Sequence, residues 1–302
     1  MRSRAIAGKK SWVHHFEEER WLYLTGLFGF LLAGICAVWV LLFGGEVAPR
    51  GDVSKAISFN AALGIFLLST AAIMPFAAMG KRSKVFFRIT YIILVLYSYG
   101  AETVQNFRGV NPRFVHNGTI FDKTVGNIFA FVALMLVLSY LFLAVHYFRR
   151  KAYVRRPEIV VGIRYAMAAT VISFAAGVWI SVNQGRFTGL EGNIIWLHGL
   201  GFHALQAVPI VAWLTEYTSL KSTVRRTMVH ITGIAYVLGL IAIGVLTWNG
   251  HSVLEWSALQ VVAIVSFLVS ITAGAWVLGQ SVTELRRAYK GYGFEGLISM
   301  MK

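Results

Sequence analysis

The sequence is short of charge, proline and cysteine. Asp, Glu, Lys and Arg make up 14% of its 302 residues, where a soluble domain carries about a quarter. Hydrophobic residues make up 57%, and a fold that apolar has too little polar surface to face water on all sides. A soluble enzyme and a disordered chain are thereby excluded. The single cysteine, Cys36, lies in an apolar run as a small hydrophobe, so there is no disulfide scaffold and no thiolate cluster. Five prolines leave no proline-rich linker. There is also no P-loop, no nucleophile elbow and no dinucleotide fingerprint, and no segment repeats another at the level of sequence.

What the sequence does have is long apolar runs. About twenty such residues cross a hydrocarbon core of roughly 30 Å, and eight runs qualify: 21–43, 57–79, 85–106, 126–148, 161–183, 195–217, 228–248 and 256–280. The pattern predicts an all-α polytopic membrane bundle forming one domain over 1–302. It has an interfacial segment at 1–20 and a loosely held cytoplasmic tail at 281–302. The first run is too long for a signal peptide, and Glu17, Glu18, Glu19 and Arg20 precede it.

Charge placement sets the expected topology. With eight spans, 22 of the 28 Lys and Arg fall on the side of the two termini. Only Arg50, Lys55, Arg108, Arg113, Lys123 and Arg186 fall on the other. The positive-inside rule then puts both termini in the cytoplasm, here of a cell inner membrane. The same distribution accounts for the net charge of +15 without nucleic acid, since no aromatic-rich basic domain is present.

Ionisable groups inside lipid are costly and point to function. At about 100° per residue, Tyr91, Ser98, Glu102 and Gln105 share one face of the third span. Glu102 there reads either as a proton, cation or ligand site, or as a structural ion pair with Arg108 or Arg113. In the sixth span His198, His203 and Gln206 line one sector, with Gly199 and Gly201 permitting close helix approach and Pro209 favouring a kink. Asn60, Gln184 and Arg186 join them at the same depth, as a polar vestibule open to the outside. The Asn117-Gly118-Thr119 tripeptide matches a glycosylation acceptor.

Two other arrangements remain open. Glu102, His198 and His203 could supply a three-ligand metal site. His146 and His230, at similar depth on two spans, could supply a bis-imidazole haem, although both also suit snorkelling positions near the headgroups. No cofactor is required by any motif.

Glu102-Thr103-Val104-Gln105-Asn106-Phe107-Arg108-Gly109, with Asn111-Pro112-Arg113-Phe114 after it, resembles a group of bacterial multi-pass membrane proteins of unassigned activity. These carry an E-T-x-Q-x-x-R-G segment before an outer loop and a later H-x-L-Q segment, here His203-Ala204-Leu205-Gln206. The resemblance implies a multi-pass fold and weights the same residues. The expected function is binding of a small ligand or ion in an outward-facing pocket formed by Glu102, Gln105, Arg108, His198, His203 and Gln206. Proton-coupled transport would suit such a pocket. A histidine-ligated membrane enzyme acting on a lipid-soluble substrate and a structural subunit of a larger complex are the alternatives.

Overall fold

The computed structural model describes residues 18–115 and 118–301, apart from the side chains of 155 and 291–301. The interfacial segment up to residue 17 and the glycosylation tripeptide at Asn117 lie outside the described residues. The protein is all-α, with eight helices long and apolar enough to cross a membrane. The helices are α1 (Arg20–Phe43), α2 (Val53–Ile73), α3 (Lys81–Phe107), α4 (Ile120–Phe148), the short α5 (Arg150–Arg155), α6 (Pro157–Val182), α7 (Ile194–Thr215), α8 (Ser222–Trp248) and α9 (Ala258–Met301). Each of the eight expected spans has a counterpart. The last helix continues beyond residue 280 to Met301, where a loose tail was expected. Thr283-Glu284-Leu285-Arg286-Arg287 is helix-compatible, and Arg287 pairs with Glu284 one turn back at 2.9 Å.

The described residues pack as two compact units, 18–146 and 147–301. In the first, α1 is followed by the hairpin β1–β2 (Glu46–Val47 and Gly51–Asp52), then α2, α3 and α4. In the second, α6 is followed by the hairpin β3–β4 (Phe187–Thr188 and Gly192–Asn193), then α7, α8 and α9. The starts of the hairpin strands at 46 and 187, of α2 and α7 at 53 and 194, and of α3 and α8 at 81 and 222 all differ by 141. The chain therefore contains an internal repeat, which corrects the expectation that it has none.

The correspondence extends to individual bonds. Asp52 caps α2 by accepting from the Ser54 N–H, and Asn193 caps α7 by accepting from the Ile195 N–H. Val53 N donates to the Gly45 carbonyl and Ile194 N to the Arg186 carbonyl, both at 2.8 Å. Arg50 N bonds Gly109 O at 2.9 Å, and Glu191 N bonds Gly250 O at 3.0 Å, so each hairpin docks on the turn that ends the third helix of its unit. Gly109 and Gly250 both have φ of 76°, a left-handed conformation that favours glycine. A Cβ on Gly109 would also collide with the Ala48 carbonyl, and one on Gly250 would stand 2.8 Å from Gly189 Cα.

With lipid as solvent, helices associate by close packing more than by hydrophobic burial. In the first unit α1 meets α2 where Gly26 and Gly64 each approach the other's carbonyl. In the second unit both helices also bring glycines: a Cβ on Gly201 of α7 would be 2.9 Å from Ala169 O of α6, and one on Gly162 of α6 would be 3.2 Å from Val208 O of α7. The fourth helix of the first unit is held by large rings, with Tyr140 4.7 Å from Phe66 and 6.1 Å from Tyr91. Away from the hairpins, Arg88 grips the buried Glu19 through two bonds of 3.0 and 3.1 Å. Arg156 pairs with Glu216 there in the second unit.

Gly109→Ala should lower the apparent melting midpoint of the detergent-solubilised protein by roughly 4–8 °C, from a backbone and steric penalty of about 2 kcal/mol. Gly34→Ala, whose added Cβ meets nothing within 4 Å, should stay within about 2 °C of wild type. Equal midpoints for the two variants would contradict the docking of hairpin on turn.

Candidate functional site

The polar stripe of α3 is buried as its spacing predicts: Tyr91, Ser98, Glu102 and Gln105 are each 1% exposed. A carboxylate so enclosed needs a cation and hydrogen-bond donors. The loop after α3 supplies the cation. Arg113 donates from Nη2 to Glu102 Oε1 at 2.8 Å and from Nε to Oε2 at 3.2 Å, a two-pronged contact. Its guanidinium also lies 5.1 Å from the Phe59 ring centroid. Asn106 Nδ2 donates to the Glu102 carbonyl at 2.7 Å, and Asn106 Oδ1 accepts from the Asp52 N–H at 3.0 Å. One asparagine thus ties the carboxylate-bearing turn to the hairpin.

A second carboxylate stands beside it. Asp122, 3% exposed, accepts from Gln105 Nε2 at 3.1 Å and pairs with Arg108 Nη2 at 3.2 Å. It also accepts from the Thr119 N–H and hydroxyl at 3.0 and 2.6 Å, while Thr119 Oγ1 accepts from the Asp122 N–H at 3.2 Å. This is a reciprocal capping box that starts α4. Asp122 was missed in the sequence reading. Its signal is the T-x-x-D spacing of Thr119 and Asp122 immediately before an apolar run.

Three oxygens of this region are buried without a hydrogen bond: Asn60 Oδ1, Tyr99 Oη and Gln105 Oε1. Asn60 spends its Nδ2 on Thr103 Oγ1 at 2.9 Å. Next to the network is a cleft of about 180 Å³ walled by Pro49, Arg50, Val110, Asn111, Thr119 and Asp122. Within the first unit the structure therefore brings Glu102 to Arg113, and joins Gln105 to Arg108 through Asp122.

The second unit places its polar residues differently. His198 donates from Nδ1 to the Ser173 carbonyl at 2.8 Å, and the Ser173 hydroxyl donates back to the His198 carbonyl. This clasp joins α6 to α7, with Gly177 beside the imidazole. His203 is exposed, against the expectation that it lines the interior. The buried face of α7 runs through Leu197, Gly201, Ala204, Leu205 and Val208, because Gly201 must meet α6. His203 follows by two residues, about 200° around the helix, and so points away. It donates from Nδ1 to Gln206 Oε1 at 3.1 Å. Gln184 is exposed with φ of 49°, and the Arg186 guanidinium lies 4.9 Å from the Phe187 ring.

His146 and His230 also have local partners. His146, 4% exposed, donates from Nδ1 to Phe142 O at 2.7 Å. It is therefore packed, and does not reach for headgroups. His230 is exposed and shares a 2.9 Å bond with the Tyr165 hydroxyl. Among the described residues, no three His, Cys, Asp or Glu side chains gather in a way that could hold a metal ion. Comparison with known protein families, curated proteins and solved structures finds none that matches this chain.

Removing either member of the Glu102–Arg113 pair should have unequal effects. The Arg113 side chain is 38% exposed and that of Glu102 is 1% exposed, so an orphaned arginine can turn to water and an orphaned carboxylate cannot. Arg113→Met should therefore destabilise the solubilised protein by about 3 kcal/mol and Glu102→Gln by only about 1 kcal/mol. Chemical denaturation of both variants checks this, and the reverse order would contradict the assigned pairing.

Proposed function

We propose that this chain is a proton-coupled transporter of the bacterial inner membrane, with both termini cytoplasmic and an outward-facing site for a small anionic solute. The site comprises Glu102, Gln105, Arg108, Arg113 and Asp122. The observation that carries this reading is a pair of nearly fully buried carboxylates, each held by an arginine that is itself about two-fifths exposed (38% and 42%).

The chemistry follows from that asymmetry. An anion entering the cleft competes with Glu102 or Asp122 for its arginine. A carboxylate released from its cation inside lipid is costly as an ion and is relieved by taking a proton. Anion and proton are then bound together, and the net charge of the site does not change. The unsatisfied oxygens of Asn60, Tyr99 and Gln105 are acceptors for a protonated carboxyl or a solute hydroxyl.

The internal repeat supports transport over a passive role. Many secondary transporters are built from repeated halves, and here each span corresponds to the fourth one after it, an even offset as in parallel repeats. The resemblance of the Glu102–Gly109 and His203–Gln206 segments to a bacterial multi-pass group agrees with the membrane assigned.

Proteoliposomes should take up at least one member of a panel of small mono- and dicarboxylates and inorganic phosphate, faster when the outside is acidic. Glu102→Gln and Asp122→Asn should abolish the acid stimulation at unchanged protein content. Absence of uptake across the panel, or acid stimulation that survives in both variants, would contradict the proposal.

A further inference from the structure

An arginine keeps its proton, so one placed inside an apolar run needs an anion or a route to water. Arg164 is such a residue. It is the eighth residue of α6, about 10 Å from the start of the helix at 1.5 Å per residue, and it stands inside the apolar run 161–183. Its guanidinium donates from Nε to the Tyr147 carbonyl at 2.9 Å and from Nη2 to the Phe148 carbonyl at 3.5 Å, which orients it without neutralising it. The described carboxylates at this end of the second unit, away from the hairpin, are taken by other arginines. Glu216 pairs with Arg156, Glu284 with Arg287, and Glu158 with Arg225 and Arg226.

A second cation comes to the same place. The Arg164 guanidinium lies 5.4 Å and the Arg226 guanidinium 5.9 Å from the ring centroid of Tyr153. One ring of α5 thus gathers an arginine from α6 and an arginine from α8. The Arg226 side chain is 44% exposed, and its hold on Glu158 is loose, at 3.5 Å, with Arg225 on the same oxygen at 3.8 Å. Two arginines on one carboxylate leave a positive charge over, and Arg164 adds another. Arg149, Arg150 and Lys151, all exposed, lie just before Tyr153 in the chain. Further along both helices the surface turns apolar. Ala168 and Val171, one and two turns beyond Arg164, are exposed, as is Ile234, two turns beyond Arg226.

We infer that Arg164 and Arg226, gathered on Tyr153, bind the phosphate of one anionic phospholipid whose acyl chains lie along α6 and α8. The forked donors of arginine suit a phosphate, and the exposed apolar residues beneath suit the chains. The positive-inside bias accounts for Arg149, Arg150 and Lys151, but not for an arginine inside an apolar run. A zwitterionic phospholipid offers the same phosphate, yet its ammonium is repelled by these neighbouring cations, whereas an anionic headgroup is attracted. The first unit has no such pair, since at the spacing of 141 the positions of Arg164 and Arg226 are held by Tyr23 and Val85. The site lies wholly in the second unit, shares no residue with the proposed anion site and holds or fails apart from it.

The test is native mass spectrometry of the full chain in detergent, titrated with phosphatidylglycerol or with phosphatidylcholine of the same acyl chains. Phosphatidylglycerol should add as one molecule per chain, at least about tenfold tighter than phosphatidylcholine. Arg164→Gln and Arg226→Gln should each weaken it about tenfold. Arg82→Gln, an exposed arginine at the start of α3, should leave it unchanged. Arg164 also holds the Tyr147 carbonyl, so if Arg164→Gln fails to fold, the exposed Arg226 decides. Glycerol 3-phosphate in millimolar excess should not displace the lipid, because it has no chains to bury. Displacement by it would reveal a site for free phosphate and overturn the inference. Equal affinity for the two lipids, unaltered binding in Arg226→Gln, or an equal loss in Arg82→Gln would also overturn it.

Discussion

A carboxylate enclosed by apolar helices has to find its counter-charge within the protein, and the hairpin end of the first unit is organised around that requirement. Glu102 is met by Arg113 through both of its oxygens, and Asp122 by Arg108, Gln105 and Thr119. Both cations come from the segment after α3, so that loop is folded back onto the helix ends by electrostatics that lipid strengthens. Asn106 extends the same network to the hairpin through Asp52 N. The loop, the hairpin and the start of α4 are thereby held by two neighbouring sets of bonds, one on Glu102 and one on Asp122.

The second unit keeps the scaffold but not the buried Glu and Gln at the hairpin end of its third helix. Its hairpin docks on a glycine turn in the same way, and its helices follow at the same spacing. The positions of Glu102 and Gln105 are taken by Ile243 and Leu246, and without a buried carboxylate nothing draws a loop cation inward. An apolar groove is left where the first unit has an ion pair. One architecture thus carries a polar cluster in one half and an apolar groove in the other.

Much of this was legible in the sequence. The eight spans follow from hydropathy, and the burial of Tyr91, Ser98, Glu102 and Gln105 from helical spacing. The second and fourth spans begin earlier than their apolar runs, because Asp52 and the Thr119–Asp122 box cap turns that hydropathy does not register. His203 was misplaced because polar residues do not decide which face of α7 is buried. Gly201 does, by its approach to α6. The repeat was hidden for a related reason. Close helix contacts need small residues but not at matching positions: Gly26 and Gly64 of the first unit correspond to Met167 and Leu205, and the second unit uses Gly162, Gly177 and Gly201 instead. What coincides at the 141-residue spacing is largely turn glycine, such as Gly51 with Gly192 and Gly109 with Gly250.

A density map of the protein in lipid nanodiscs, resolved to side chains, examines the contrast between the two units most directly. The account requires Arg113 to be seated over Phe59 with its guanidinium on Glu102, and an elongated opening walled by Trp196, Leu200, Ile243 and Gln260. Arg113 extended into solvent with Glu102 unpaired, or a second-unit groove closed by Trp196 against Leu246, would contradict it.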